Sequence, residues 1–136
     1  MVADPTALRF FVDESLMGIG KALAYARKGV VHAGHSLMPG APTGALDTEW
    51  IPTVAAAGLV VIGRDRKIRT RSAELARLRQ HGLRVFYVAG KRDLSSWDYL
   101  VRLVHRWDDI EEKLATRGPG PWFFPVHETK ISEVTV

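Results

Sequence analysis

The stretch LDTEWIPTVAAAGLVVIGRDRKI, residues 46–68, decides the fold of this chain. Its first half predicts a helix, because Asp47 suits the N-cap or the first turn and Gly58 suits the end. Its second half, Leu59–Ile62, is an unbroken apolar run that is typical of a central strand in a parallel sheet. A short charged run, RDR at residues 64–66, follows that strand directly. A helix that leads into a buried strand is a building unit of an α/β domain.

Helix and strand signals alternate along the rest of the chain. Further strands are predicted at residues 8–12, 30–32 and 83–88, further helices at 15–28, 69–81 and 95–116, and a terminal hairpin from WFFPVH and KISEVTV. The last helix carries an apolar stripe in which we expect Trp97, Val104 and Trp107 to be buried. We therefore expect a single three-layer α/β/α domain over residues 1–136, with a central, mainly parallel sheet. Its core would span about residues 8–117 and its C-terminal hairpin about residues 121–136.

The composition excludes several classes of protein. The chain has 136 residues, 46% of them hydrophobic, which is too apolar for a disordered protein. It has no cysteine, so disulfides, thiolate zinc sites, iron–sulfur clusters and cysteine nucleophiles are excluded. No apolar run approaches the roughly 18 residues of a membrane span, and the N-terminal sequence lacks the basic start of a signal peptide. We expect a soluble, cytoplasmic protein without a membrane partner.

Basic residues are concentrated in one segment. The formal net charge is +4, but residues 62–92 alone hold ten basic and two acidic residues, a local charge of +8. A basic segment in an otherwise acidic chain indicates a polyanionic partner such as a nucleic acid, and a solvated helix face is the alternative. The candidate contacts to phosphate groups are Arg64, Arg66, Lys67, Arg69 and Arg71.

Three acids are predicted to meet at one edge of the sheet. Asp13 follows the first strand, Asp65 follows the third, and Asp47 begins the helix that leads into the third. Neighbouring carboxylates repel one another unless a cation lies between them, and such oxygen ligands suit Mg²⁺ or Mn²⁺. A metal site of this kind activates water and stabilises charge on a phosphoryl group. The pattern predicts metal-dependent phosphodiester hydrolysis with these three acids as catalytic ligands, and roles as caps or turn residues are the alternative.

Two stretches resemble the PIN-domain nucleases. Residues 46–68 resemble the family's stretch in which an acid opens a helix and a strand ends in a second acid, and RFFVDESL at residues 9–16 resembles its first strand. The resemblance covers roughly residues 8–90, and Asp13, Asp47 and Asp65 match the family's first, third and fourth acids. It implies a Mg²⁺- or Mn²⁺-dependent endoribonuclease that acts on RNA. It also implies a VapC-type toxin of a toxin–antitoxin pair, with an antitoxin protein and a homodimer as candidate partners.

The sequence departs from the family pattern at one position. The family's usual second acid, a Glu on an intervening helix, has no counterpart, because residues 15–46 contain no Asp or Glu. Glu14 could supply a further metal-binding oxygen. One alternative is therefore a catalytically weak or inactive PIN-like module that binds RNA or a protein partner. A receiver-like signalling domain is the other, since it too has an acid pair after its first strand and an Asp after its third.

Overall fold

The computed structural model of the chain describes residues 8–64, 71–90 and 93–136. Its centre is a five-stranded sheet with the strand order β2-β1-β3-β4-β5, in which all neighbouring strands are parallel. The strands are β1 Phe10–Val12, β2 Val30–His32, β3 Val60–Gly63, β4 Arg84–Val88 and β5 Trp122–Val126.

Five helices cover the two faces of this sheet in the described part of the chain. They are α1 Met17–Ala26, α2 Asp47–Ala56, α3 Ser72–Gln80, α4 Ser96–His105 and α5 Trp107–Arg117, and a short 3₁₀ turn, Glu14–Leu16, precedes α1. Helices α1, α4 and α5 contribute to the core on one face, and α2 and α3 to the core on the other. The predicted three-layer α/β/α fold with a parallel sheet is therefore confirmed. Among the described residues, no helix is both long enough and apolar enough to cross a bilayer.

The strands are apolar because helices cover both faces of the sheet. Phe10 and Val12 of β1 belong to the core beneath α1, whereas Phe11 between them belongs to the core beneath α2. Because successive strand residues point to opposite faces, a strand covered on both sides is apolar throughout. Val12 lies beside Ile62 of β3, so β1 and β3 end together and the residues that follow them share the carboxyl edge of the sheet.

The predicted long helix at residues 95–116 is wrong, since the chain forms two helices there. Ser95 caps α4 as expected by accepting a hydrogen bond from Asp98 N at 3.1 Å, but α4 ends at His105 and α5 begins at Trp107. The break lies at Arg106, whose guanidinium donates to Asp109 Oδ2 at 2.8 Å. The hydrophobic period continues across this break, so the sequence pattern alone did not reveal it.

Burial along these two helices also differs from the expectation. Trp107 is buried as predicted and packs on the sheet, but Trp97 is 71% exposed and Val104 is 56% exposed. Helix α4 instead buries Tyr99 and Leu103. Trp97 precedes Tyr99 by two residues, which places it about 200° away around the helix and on the outer surface. Apolar residues occupy both faces of α4, so composition alone did not show which face packs inward.

The C-terminal residues fold back on the sheet. After β5 the chain turns at residues 128–129 and returns antiparallel, with single bridges between Phe123 and Val134 and between Val126 and Ile131. The predicted hairpin is thus present in outline. Its first arm is a sheet strand paired with β4, whereas its second arm makes isolated bridges rather than a continuous strand.

Candidate metal and nucleic-acid site

Asp13 lies at the carboxyl end of β1 and is held there by the turn that follows. Only 5% of the residue is exposed. Its Oδ1 accepts a hydrogen bond from Ser15 N at 2.9 Å and another from Ser15 Oγ, so Asp13 caps the 3₁₀ turn. The backbone N–H of Arg64 donates to the same Ser15 hydroxyl at 3.2 Å. Ser15 therefore connects Asp13 to the residue that follows β3.

Gly63, the last residue of β3, lets the Asp13 carboxylate lie against the strand backbone. A Cβ atom at this position would lie 2.5 Å from Asp13 Oδ2 and 3.0 Å from Asp13 Cγ. Real Cβ atoms essentially never approach other heavy atoms this closely. Glycine at this position thus leaves room for the close approach of a side chain from the neighbouring strand, and a larger residue would displace the Asp13 carboxylate.

Asp47 is the first residue of α2 and is oriented by an aromatic side chain of the same helix. The indole Nε1 of Trp50 donates to Asp47 Oδ1 at 2.9 Å. Trp50 is itself fixed, because it is 5% exposed and its ring lies 5.2 Å from that of Phe11. The N-terminus of a helix also favours a negative charge. This confirms Asp47 as a first-turn acid of the predicted helix.

Glu14 connects the site to the glycine- and proline-rich loop between β2 and α2. Its Oε2 accepts a hydrogen bond from Gly44 N at 2.8 Å. Gly44 has a positive φ of 81°, a backbone conformation that favours glycine. The Glu14 side chain is therefore turned toward the loop.

One pocket at this edge brings together three acids from two separate parts of the described sequence. It has a volume of about 170 Å³ and is lined by the carboxylate residues Asp13, Glu14 and Asp47. Its remaining lining is mostly apolar and consists of Phe11, Ser15, Ala33, Ala41, Pro42, Ala45 and Trp50. Two of the three predicted metal ligands, which come from distant parts of the sequence, are thus brought to one concave site.

The chemistry of these side chains suits a hard divalent cation, because carboxylate oxygens are the ligands that Mg²⁺ and Mn²⁺ prefer. However, within residues 8–64, 71–90 and 93–136 no group of three or more His, Asp or Glu is arranged to hold a metal ion. Asp65, the third predicted ligand, lies outside the described residues. Its completion of the ligand set, and the metal itself, stay predictions.

Arg64 places a positive charge at the end of β3. Its guanidinium donates to Asp93 Oδ1 and to Tyr99 Oη, both at 3.2 Å, and lies 5.6 Å from the centre of the Tyr99 ring. The hydrogen bond that Arg64 donates to Tyr99 Oη raises the pKa of Arg64; partial burial opposes this rise, and the charges of Asp93 and Asp13 add to it. Arg64 is therefore a permanent cation close to Asp13.

The other predicted phosphate contacts are placed only in part. Arg71 precedes α3, is exposed, and lies 3.7 Å from Glu74 in an i,i+3 ion pair. Arg66, Lys67 and Arg69 lie outside the described residues, so their contribution to binding stays a prediction.

Sequence reasoning missed three residues that build this site, namely Ser15, Trp50 and Gly63. Ser15 follows an acid by two residues, and Trp50 follows an acid by three on a helix. Each spacing permits a local side-chain hydrogen bond, which could have suggested these contacts. The role of Gly63 had no comparable signal, because its contact comes from a different strand.

Comparison with known proteins agrees with this arrangement. A family model described as "PIN like domain" matches residues 8–90, a range that contains β1 to β4 and all three predicted acids. No curated protein and no solved structure matches the chain. The matched range covers more than half of the sequence and holds every described residue that lines the pocket. The chain therefore belongs to the PIN-like domain family, whose fold is of the nuclease type.

Proposed function

We propose that this PIN-like domain hydrolyses RNA phosphodiester bonds with Mg²⁺ or Mn²⁺ held by Asp13, Asp47 and Asp65. The observation that carries the proposal is the pocket in which Asp13 and Asp47 meet at the carboxyl edge of a parallel sheet. This edge is where open α/β sheets bind their ligands. A metal-dependent site of this kind holds its cation with carboxylates, and this pocket supplies two from separate segments.

The residues around the pocket support this chemistry because they hold charged side chains in position before substrate binds. A bound divalent cation would supply activation of water and stabilisation of charge on the phosphoryl group. Asp13 is oriented by Ser15, and Asp47 by the indole N–H of Trp50, so each carboxylate has a hydrogen bond that holds it in position before substrate binds. The guanidinium of Arg64 adds a positive charge beside the acids and attracts the RNA backbone.

The direct test measures cleavage of labelled single-stranded RNA with Mn²⁺ and with a chelator. We expect cleavage only with the metal, and we expect Asp13→Asn and Asp47→Asn each to reduce it by at least about 100-fold. Glu49→Gln is the matched control, because it removes a charge two residues from Asp47 on the exposed side of the helix. Cleavage that survives in both Asn variants, or in the chelator, would refute the proposal.

The proposed metal-binding role of Asp65 is tested by thermal melts, because the melting temperature responds both to repulsion among the acids and to stabilisation by bound metal. Asn is nearly isosteric with Asp, so Asp65→Asn leaves the packing almost unchanged. When a chelator removes the metal, the variant has less repulsion among the acids of the site, and when metal is present it lacks one ligand. We expect the variant to melt no lower than the parent in the chelator and to lose its stabilisation by Mn²⁺. A lower melting temperature with an unchanged Mn²⁺ shift would instead assign Asp65 a structural ion pair.

A second candidate function is RNA or protein binding without catalysis. Two observations favour it, namely the missing second acid of the family pattern and the lack of a three-ligand group among the described residues. A binding module would retain its RNA in the assay above without cutting it, and Mn²⁺ would not raise its melting temperature. The cleavage assay and the melts therefore separate the two functions.

The biological role that we propose is that of a VapC-type toxin acting in the cytoplasm. This extends the ribonuclease proposal, with an antitoxin protein and a homodimer as proposed partners. Expression of the chain in bacterial cells should then arrest growth, and expression of Asp13→Asn should not. Equal growth with both chains at equal protein levels would count against the toxin role and leave the hydrolysis itself open to the direct assay.

A further inference from the structure

A second pocket opens at the carboxyl ends of β4 and β5, and we call it the β4–β5 pocket. Its volume is about 560 Å³, within the range of small-molecule sites. It is lined by Tyr87, Ala89, Gly90, Arg102, His127, Glu128, Thr129 and Lys130. Neither the family match nor the sequence reasoning assigns it a role, and residues 127–130 lie beyond the matched range.

The β4–β5 pocket lies on the same edge of the sheet as the acidic pocket. Gly63 of β3, against which the Asp13 carboxylate packs, is the register partner of Tyr87 on β4. Tyr87 in turn lines the β4–β5 pocket. Neighbouring strands are about 4.8 Å apart, so β4 and β5 lie roughly 10 to 15 Å from β1 along this edge. A few nucleotides of RNA can bridge that distance.

The charged groups of the pocket suit a phosphate group. Arg102 on α4 donates from Nη1 to the carbonyl oxygen of Ala89 at 2.6 Å, which fixes its guanidinium in the pocket wall. A guanidinium has five N–H donors, so this bond leaves others for a ligand. Lys130 adds a second cation, and Glu128 at the exposed rim is the one carboxylate among the lining residues that the structure describes.

The turn that carries Lys130 is held in place by hydrogen bonds. His127 N donates to Lys130 O at 2.8 Å, and the ring Nε2 of His127 lies 2.8 Å from Ser132 Oγ. Arg106, at the break between α4 and α5, donates to Thr129 O at 3.1 Å. The pocket wall is thus formed before a ligand arrives, which lowers the entropic cost of binding.

We propose that the β4–β5 pocket binds a nucleotide of the RNA substrate that lies a few positions along the chain from the cleaved bond, with its phosphate group at Arg102 and Lys130. This inference rests on the proposed ribonuclease function, because it identifies the path that the RNA takes away from the acidic pocket. It assigns the pocket to single-stranded RNA, whose flexible backbone can follow the strand ends from β1 to β5.

The test compares binding of a fluorescent single-stranded RNA oligonucleotide in chelator across three single variants. Lys130→Ala should weaken binding about two- to fivefold and lower the log–log salt slope by about 0.7, the share of one phosphate contact. Glu128→Gln removes a negative charge from the same rim and should tighten binding, and weaker binding by this variant would count against a phosphate group at this rim. Lys28→Ala is the matched control, because this exposed Lys precedes β2 at the opposite edge of the sheet and should change neither quantity.

Substrate length then separates this inference from the proposed function. Lys130→Ala should slow cleavage of the long oligonucleotide but leave cleavage of a dinucleotide unchanged, because a dinucleotide is too short to reach both pockets. Arg102→Gln should show the same pattern, with melting curves to check its fold. One outcome is that RNA is cleaved in an Asp13-dependent way, while Lys130→Ala and Lys28→Ala have the same RNA affinity and salt slope. That outcome would refute the subsite in the β4–β5 pocket and leave the proposed ribonuclease function in place. If no cleavage occurs but Lys130→Ala still lowers affinity and slope, the RNA site stands and the hydrolysis is refuted.

Discussion

Replacing Gly63 by alanine is a sharp test of how the Asp13 carboxylate is positioned. The new Cβ atom would lie 2.5 Å from Asp13 Oδ2, and ordinary contact begins at about 3.4 Å, so the oxygen must move by about 0.9 Å. Displacing Asp13 weakens its cap on the 3₁₀ turn, a loss of about 1 kcal/mol. Alanine offsets this by about 0.5–1 kcal/mol, because glycine in a strand has a larger unfolded-state entropy. The free energy of unfolding should therefore change by no more than about 1 kcal/mol.

The effect on activity should be much larger than the effect on stability. A misplacement of about 1 Å in a reacting group costs on the order of 100-fold in rate. Gly63→Ala should therefore lower kcat for RNA cleavage by about that factor while its urea denaturation curve stays close to that of the parent. Gly18→Ala is the matched control, since a Cβ at Gly18 in α1 meets nothing within 4 Å.

Two results would refute this reasoning. Parental cleavage by Gly63→Ala would show that the position of Asp13 against β3 is unimportant for catalysis. A loss of stability of several kcal/mol would show that the strand backbone, rather than the carboxylate, absorbs the added methyl group. Gly18→Ala should cleave RNA like the parent and be slightly more stable, because alanine favours a helix over glycine.

Three further predictions concern residues that the structure shows in contact with the site or in the core. Trp50→Phe keeps the aromatic packing but removes the hydrogen bond to Asp47, so Mn²⁺ should bind more weakly in a titration followed by melting temperature. The free energy of unfolding of this variant should fall by about 1 kcal/mol. Ser15→Ala removes the hydroxyl that links the ends of β1 and β3, so its free energy of unfolding in urea should fall by about 1 kcal/mol. The same variant should have a lower kcat for RNA cleavage, with a smaller change in KM. Trp107→Ala should cost about 3–5 kcal/mol in the same denaturation experiment, whereas Trp97→Ala should stay within about 0.5 kcal/mol, because their exposures are 7% and 71%. Equal losses for the two Trp variants would contradict the burial that we describe.

The sequence alone determined the layered fold and predicted that Asp13 and Asp47 lie at one edge of the sheet. The apolar run Leu59–Ile62 predicted a strand buried on both faces, and the helix that begins at Asp47 predicted its covering layer. Both are local patterns, since periodicity and end signals lie within a few residues of one another. The rule that chemistry gathers at the carboxyl ends of parallel strands then placed Asp13 and Asp47 at one edge.

Only the tertiary structure decided how that edge is built and which apolar residues are buried. The contact of Asp13 with Gly63 joins two strands that are neighbours in space but fifty residues apart in sequence, so no local pattern predicts it. The same holds for the β4–β5 pocket, in which Arg102 and Lys130 converge from a helix and a distant turn. Burial of Trp107 and exposure of Trp97 depend on the break at Arg106 and on the face that α4 turns to the sheet. Contacts and burial of this kind arise from packing between helices and strands, because the neighbours of each side chain come from distant parts of the sequence.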